Sequence, residues 1–272
     1  MIKKEKTIGI VGFGNMGSAC AQAIALSDSY KVLVYDKRKS IKYCYPKVTK
    51  AKNLPTLIKE SQLLILAIKP RDLDLFLEKN AAIILATKPL LISILAGVKI
   101  KTIEKKLPKI KVVRAMPNLA VKVKEAVTFI TAGKLAKQKD LKEIKNIFSL
   151  MGYVLEGKEH TVDKITALSG SGPGFVYYFM KSFYKTALKM GFKKKEAKKI
   201  IVQTFQGASK LAFESDKDFS ELLDLVASPG GTTEAGVSSF DKLKLSQKIS
   251  KGLYAAYKKA KKISLGSTRR KG

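Results

Sequence analysis

A chain of 272 residues, 46% of them hydrophobic, is long enough for one large domain or two ordinary ones and has apolar material for a real core. Its 53 Lys and Arg against 22 Asp and Glu give a formal net charge of +31, but clusters such as Lys193-Lys194-Lys195 and Thr268-Arg269-Arg270-Lys271 are small; lysines spread over the whole chain point to a lysine-rich proteome rather than nucleic-acid binding, while still drawing anionic ligands to the surface. Cys20 and Cys44 define no disulfide framework, the lone His160 leaves no His-based metal site and no Ser-His-Asp triad unless it serves one itself, and no apolar run is long enough to span a bilayer.

Met1-Ile2-Lys3-Lys4 followed by apolar sequence has the look of a secretory leader. The apolar part is broken, however, by Gly12, Gly14 and Gly17, which have an explanation of their own, so the expected location is cytoplasmic. Thr7-Ile8-Gly9-Ile10-Val11 reads as a buried strand and Met16 to Leu26 as a helix rich in Ala. Lys31 to Tyr35 is a second strand ending at Asp36. Strand, Gly12-Phe13-Gly14-Asn15-Met16-Gly17, helix, strand and an acid 24 residues after Gly12 make up the dinucleotide fingerprint. The glycines supply a tight turn, room for a pyrophosphate and close helix–strand contact, and the helix N-terminus faces the phosphates.

Cofactor choice has two signals. Asp36 suits a ribose 2′-OH and hence NAD, whereas Lys37, Arg38 and Lys39 suit a 2′-phosphate; the two signals conflict.

Ser40 to Lys52 leaves room for a short strand, and Pro55 to Ser61 suits a short helix. Leu63 to Ala67 is a buried strand that a doubly wound sheet places beside the first. The loop after it, with Ala67, Lys69 and Pro70, then faces the same crevice, and Lys69 is a candidate contact for cofactor or substrate as well as an ordinary loop lysine. Leu90 to Ile94 is a further strand, Ile100 to Leu107 a helix, and Lys111 to Arg114 a strand running into Ala115-Met116-Pro117-Asn118. Ala126 to Thr131 is a strand, Leu135 to Met151 an amphipathic helix and Tyr153 to Leu155 a last short strand. Alternating strands and helices mean α/β.

Beyond residue 160 strand patterns cease. Helices are expected from Pro173, over Lys194 to Phe213, Phe219 to Val226, Thr233 to Phe240 and Lys242 to Ile263. The predicted organisation is an N-terminal Rossmann-like doubly wound domain over 1–160 and an all-helical domain over 161–272, which packs either against a copy of itself or only on its own Rossmann half. Between two of these helices lies Ser228-Pro229-Gly230-Gly231-Thr232-Thr233. It reads either as a plain helix–helix turn or as a loop that aims N–H groups and hydroxyls at one small anion.

Taken together, Gly12 to Gly17, Ala67-Ile68-Lys69-Pro70, Arg114-Ala115-Met116-Pro117-Asn118, Thr166-Ala167-Leu168-Ser169-Gly170-Ser171-Gly172-Pro173 and Ser228 to Thr233 resemble pyrroline-5-carboxylate reductases over nearly the whole chain. The last two motifs are the specific ones. The resemblance implies reduction of 1-pyrroline-5-carboxylate to L-proline by NAD(P)H, with NADPH favoured and NADH also used, the final step of proline synthesis, in a homodimer or a ring of dimers built on the helical half. It implies cofactor contacts from Gly12 to Gly17, Asp36, Lys37, Arg38, Ala67, Lys69, Pro70 and Asn118, with Asn118 either structural or nicotinamide-facing. Substrate contacts fall to Ser228, Gly230, Gly231, Thr232 and Thr233, and a wall to Ser171, Gly172 and Pro173. Thr233 is expected near the ring nitrogen, so Thr233 and Lys69 are the candidate catalytic residues; no metal is expected. A cyclic imine bearing a carboxylate needs an anchor, a flat apolar slot and access to a proton, and no covalent nucleophile. Two positions depart from the family pattern: Lys181-Ser182 where Glu-Ala is usual, and Glu234 where an apolar residue follows Thr233. The competing classes are another Rossmann reductase of a small carboxylate substrate, a non-enzymatic NADP-binding regulator and a basic nucleic-acid-binding protein.

Overall fold

The computed structural model describes residues 5–38 and 45–266. It begins with β1 (Lys6–Val11), α1 (Asn15–Ala25), β2 (Tyr30–Tyr35) and β3 (Val48–Lys50), the last being the short strand expected between Ser40 and Lys52. There follow α2 (Leu54–Glu60), β4 (Leu63–Leu66), α3 (Leu73–Thr87), β5 (Leu90–Ser93), α4 (Ile100–Lys106) and β6 (Val112–Pro117). The sheet is completed by β7 (Ala126–Ala132), α5 (Gln138–Ser149) and β8 (Gly152–Glu156). Lys39 and Cys44, the leader-like Met1 to Lys4 and the basic tail from Thr268 lie outside the described residues.

The eight strands run in the order β3-β2-β1-β4-β5-β6-β7-β8. As the doubly wound reading requires, β4 pairs with β1 in parallel, Val11 lying opposite Leu66. The sheet is mixed rather than wholly parallel, because β7 is antiparallel to β6. Only a short 3-10 turn, Leu119–Val123, joins those two strands. A parallel return needs a crossover of a dozen or more residues, so the chain doubles back instead.

Both faces of the sheet are covered, which is why the strands read as continuous apolar runs. Ile8, Ile10, Leu63 and Ile65 belong to one core with Ile24 and Phe148. Their neighbours Val11, Leu64 and Leu66 point the other way, into a core with Leu57, Leu77 and Ile103. The helix α3 has no counterpart in the sequence reading. Its buried positions Leu73, Phe76, Leu77, Asn80 and Ile84 keep helical spacing, but apolar residues such as the exposed Leu75 on its other faces blur the stripe.

After β8 come α6 (Val162–Ile165), a single π-helical turn at Thr166–Gly170, and then α7 (Gly172–Lys189), α8 (Lys194–Glu214), α9 (Phe219–Asp224), α10 (Thr232–Lys242) and α11 (Leu245–Gly266). The chain divides into two compact units. One takes in the described residues up to Ser171 and those from Ala256 onward; the other is Gly172–Ala255. The far end of the last helix thus belongs with the sheet: Ser264 Oγ donates to Asp163 Oδ2 at 2.9 Å.

Within the helical unit, Phe183 of α7 meets Phe205 of α8 edge-on at 5.3 Å. Only Ala197 and Ile201 are buried there, whereas Phe213 is 86% and Phe219 84% exposed. Helices with so little core of their own leave exposed apolar faces of the kind that marks an interaction surface. Among the described residues no helix is long and apolar enough to cross a membrane.

One carboxylate ties together three elements of the sheet unit. Arg114 of β6, 3% exposed, donates from Nη1 to Glu159 Oε1 at 3.0 Å. The same oxygen accepts from the backbone N–H of Ile100, the first residue of α4, at 2.7 Å. Arg114 Nε and Nη2 have no hydrogen-bond partner among the described residues, so the guanidinium leans on this single acid. Glu159→Gln keeps an acceptor but removes the charge. It is expected to lower unfolding free energy by about 2 kcal/mol in urea titrations; an unchanged midpoint would show that the pair adds nothing to stability.

Candidate functional site

The carboxyl ends of β1, β2 and β4 open into a cleft of about 550 Å³. Its floor is the turn at Gly12, whose φ of 98° is in the left-handed region that favours glycine. The Gly12 N–H donates to Tyr35 O at 2.8 Å, binding the turn to the end of β2. A Cβ there would lie 2.6 Å from Ala67 O, so backbone meets backbone between β1 and β4. Gly17, in the first turn of α1, is tighter still: a Cβ would lie 2.0 Å from Gly12 O. Gly14 is the opposite case. It is the N-cap of α1, it lines the cleft, and a Cβ on it would meet nothing within 4 Å. Asn15 is exposed and Met16 half-buried against the core. The loop thus ends in open space at a helix N-terminus, the arrangement that receives a phosphate.

Asp36 is held by four hydrogen bonds. Oδ2 accepts from Phe13 N–H at 2.7 Å and from Arg38 Nη2 at 3.1 Å; Oδ1 accepts from Arg38 N–H and Nε, both at 2.9 Å. A carboxylate has about four lone-pair positions, so these fill it. Burial raises the pKa of Asp36, but the hydrogen bonds from Arg38 and Phe13 and the Arg38 charge outweigh it, and the carboxyl stands below the ordinary range. Because the folded-state value is depressed, this stabilisation is present above the unfolded carboxylate pKa of about 3.9 and is lost as pH falls through the folded value. Arg38 Nη2 also reaches Phe13 O at 3.4 Å, and Lys37 Nζ lies 3.2 Å from Asp72 Oδ2.

The remaining candidates are placed as follows. Ala67 and Lys69 line the cleft, with Lys69 exposed at the start of the 3-10 turn Pro70–Asp72. Asn118 is 8% exposed, and its amide is used at both ends: Oδ1 accepts from Ala120 N–H at 3.1 Å, and Nδ2 donates to Ser169 O and Oγ at 3.2 and 3.1 Å. It clasps the turn after β6 to the π-helical turn, where Ser171 N–H donates to Thr166 O at 2.9 Å. The cleft also takes in Arg71, Asp72, Lys79 and Asn80, none of them singled out from the sequence. They sit on or just before α3, the helix whose pattern was blurred. Cys20 is fully buried, and burial pushes its thiol up to about 12, which leaves it inert as a nucleophile. A second cavity, of about 600 Å³, lies over Arg114 and Glu159, ringed by Lys99, Lys101, Lys164 and Lys261; no candidate site residue lines it.

In the helical unit, Ser228 to Gly231 form a turn closed by Gly231 N–H donating to Ser228 O at 2.9 Å. Gly230 has a φ of 73°. Gly231 is the N-cap of α10 and brings no side chain to cap it. Thr232 is exposed and Thr233 half-buried, both in the first turn, where backbone N–H groups have no intrahelical acceptor. Glu234 reaches back over the cap: Oε2 accepts from Gly230 N–H at 2.7 Å.

Two family models match the chain, one described as pyrroline-5-carboxylate reductase dimerisation over residues 159–263 and one as NADP oxidoreductase coenzyme F420-dependent over residues 7–97. A pyrroline-5-carboxylate reductase of Methanosarcina acetivorans is 33% identical over 96% of this chain and 98% of its own. That of Synechocystis is 32% identical over 94% and 97%. Among solved structures, a Plasmodium falciparum pyrroline carboxylate reductase with NADP bound is similar with a TM-score of 0.86 and 29% identity, over 97% of this chain and 100% of that one.

The two crowded or open glycines give a stability test that needs no ligand. Gly17→Ala drives a methyl into Gly12 O and is expected to cost about 2 kcal/mol or more in thermal or urea unfolding. Gly14→Ala meets no atom and is expected to stay within about 1 kcal/mol of the parent, the ordinary glycine-to-alanine range. Equal losses at the two positions would contradict this geometry.

Proposed function

The chain belongs to the pyrroline-5-carboxylate reductase family, and on that premise we propose that it reduces 1-pyrroline-5-carboxylate to L-proline with NADPH. The observation that carries the substrate assignment is the Ser228–Thr233 loop, a positive-φ glycine turn opening onto the uncapped first turn of α10. Such a turn presents N–H groups and two Thr hydroxyls to one carboxylate.

The residues around the glycine turn fit NADP. The open space at Gly14 takes the pyrophosphate against the α1 N-terminus. Asp36 has its acceptor positions filled by Phe13 and Arg38, so it is not available to a ribose 2′-OH, and it holds the Arg38 guanidinium at the edge of the cleft for a 2′-phosphate. Lys37 adds a second positive charge there. NADH remains a weaker alternative. NADPH, when bound, supplies the hydride for the imine carbon. Lys69, exposed at the rim of the cleft, contributes positive potential toward the cofactor or the substrate anion. Thr233 positions the ring nitrogen by a hydrogen bond and passes on a proton from solvent, since a Thr hydroxyl is a poor acid by itself. Asn118 supports the site by holding the two turns that its amide joins, and Ser171, Gly172 and Pro173 form part of the wall.

The family model for dimerisation lies over the unit that buries only Ala197 and Ile201, and a homodimer follows. We place these dimers in a ring, working on the cytoplasmic NADPH pool.

Two measurements test the site. Replacing Lys37 and Arg38 by Ala is expected to raise the KM for NADPH roughly ten-fold or more while changing that for NADH far less; equal effects would make both residues plain surface charge. Thr233→Val keeps the branching and removes the hydroxyl. In an NADPH-absorbance assay with 1-pyrroline-5-carboxylate, kcat/KM is expected to fall about ten- to a hundred-fold, the loss of one hydrogen bond of about 1.5–3 kcal/mol, with NADPH affinity intact. Parent kinetics would remove the substrate assignment of the loop.

A further inference from the structure

The substrate loop already contains a carboxylate. Glu234 is the third residue of α10, it is exposed, and its Oε2 takes the Gly230 N–H at 2.7 Å. Pro229 has no N–H to offer, and the Gly231 N–H closes the turn on Ser228 O. The N–H groups of the two glycines are therefore both assigned, that of Gly230 to a group of the same chemistry as the one the loop is proposed to receive. The N–H groups of Thr232 and Thr233 come next along the same helix start. A second carboxylate brought to this spot meets a like charge and one fewer donor.

We propose that Glu234 sets the substrate affinity of this loop, as an internal carboxylate that the substrate carboxylate displaces from the Gly230 N–H. The inference rests on the assignment of Ser228–Thr233 to the substrate carboxylate. Displacement is feasible because Glu234 is exposed, so its side chain can turn out into water and be solvated there. It exacts a penalty from any carboxylate that takes the Gly230 N–H, one charge-assisted hydrogen bond broken before another forms. The substrate carboxylate remakes that bond, so what it loses is the gain it would have had at an unoccupied donor. Glu234 thus weakens binding of a carboxylate substrate, which must displace it before it can take the Gly230 N–H. Its effect is on binding alone, since the side chain leaves the loop when the substrate occupies it.

The test uses the full-length protein and steady-state kinetics with 1-pyrroline-5-carboxylate and NADPH, with acetate as a simple carboxylate inhibitor. Glu234→Leu removes the competing charge and acceptor; Glu234→Gln removes the charge and keeps an acceptor. For Glu234→Leu the KM for 1-pyrroline-5-carboxylate is expected to fall roughly ten-fold, the equivalent of one charge-assisted hydrogen bond, and the inhibition constant of acetate to fall in parallel. Glu234→Gln should lie between that variant and the parent, and kcat and the KM for NADPH should stay within about two-fold in both, because binding without chemistry is what changes. An unchanged or raised KM in Glu234→Leu, with acetate inhibition unmoved and a lower melting temperature, would show that Glu234 is only a helix cap and overturn the proposal. Thr233→Val separates this failure from failure of the loop assignment. If Thr233→Val damages substrate kinetics while Glu234→Leu leaves KM alone, the loop binds substrate and only the role of Glu234 is wrong. If Thr233→Val is without effect, the assignment falls and the proposal with it.

Discussion

The sheet unit depends on a contact that leaves no space for a side chain. At Gly12 the chain turns with positive φ directly against the backbone of Ala67, and Gly17 brings α1 down onto the carbonyl of that same turn. Three segments that are distant in sequence, the ends of β1 and β4 and the start of α1, therefore meet backbone to backbone. This contact determines where the α1 N-terminus points and leaves Gly14 facing open space. The middle glycine of the motif differs from its neighbours in kind: Gly12 and Gly17 are demanded by the protein itself, whereas nothing in the protein crowds Gly14.

Charge is used sparingly inside this frame despite the large surplus of lysine. Asp36 spends its whole acceptor capacity on the Phe13 N–H and on Arg38, so one acid both braces the glycine loop and orients a guanidinium at the cleft. Glu159 does the comparable work at the other end of the sheet, where one oxygen serves the buried Arg114 and the first N–H of α4. In each case a single carboxylate joins elements that the hydrophobic core brings near but does not align. Most of the lysines have no such part, and their combined field acts on anionic ligands at long range.

The helical unit follows a different principle. Its helices are well formed and amphipathic, yet only Ala197 and Ile201 are shielded within it. A family model for dimerisation lies over residues 159–263, the stretch that holds these weakly buried helices. The Ser228–Thr233 turn leads into α10 of this same unit.

The sequence by itself determined the secondary structure of nearly every element, because both periodicities are local: apolar runs closed by glycine or proline for strands on a doubly covered sheet, and spaced apolar stripes for helices. It also located the glycine turn and the Ser-Pro-Gly-Gly-Thr-Thr loop, since backbone conformations that only glycine tolerates leave a mark in composition. What it left open was what depends on partners far along the chain. The direction of β7 was decided by the shortness of its connection to β6, α3 was hidden by apolar residues on its exposed faces, and the end of α11 proved to belong with the sheet. The same holds for individual side chains. Asp36 and Arg38 read as rivals for the same ribose until the fold showed the acid bound to the arginine, and Glu234 read as a departure from the family pattern until its carboxylate was found on the Gly230 N–H. A residue type records which bonds it is able to make; only the tertiary structure decides which of its possible partners arrive within 3 Å, because hydrogen bonds at that range depend on positions set by the packing of the whole unit.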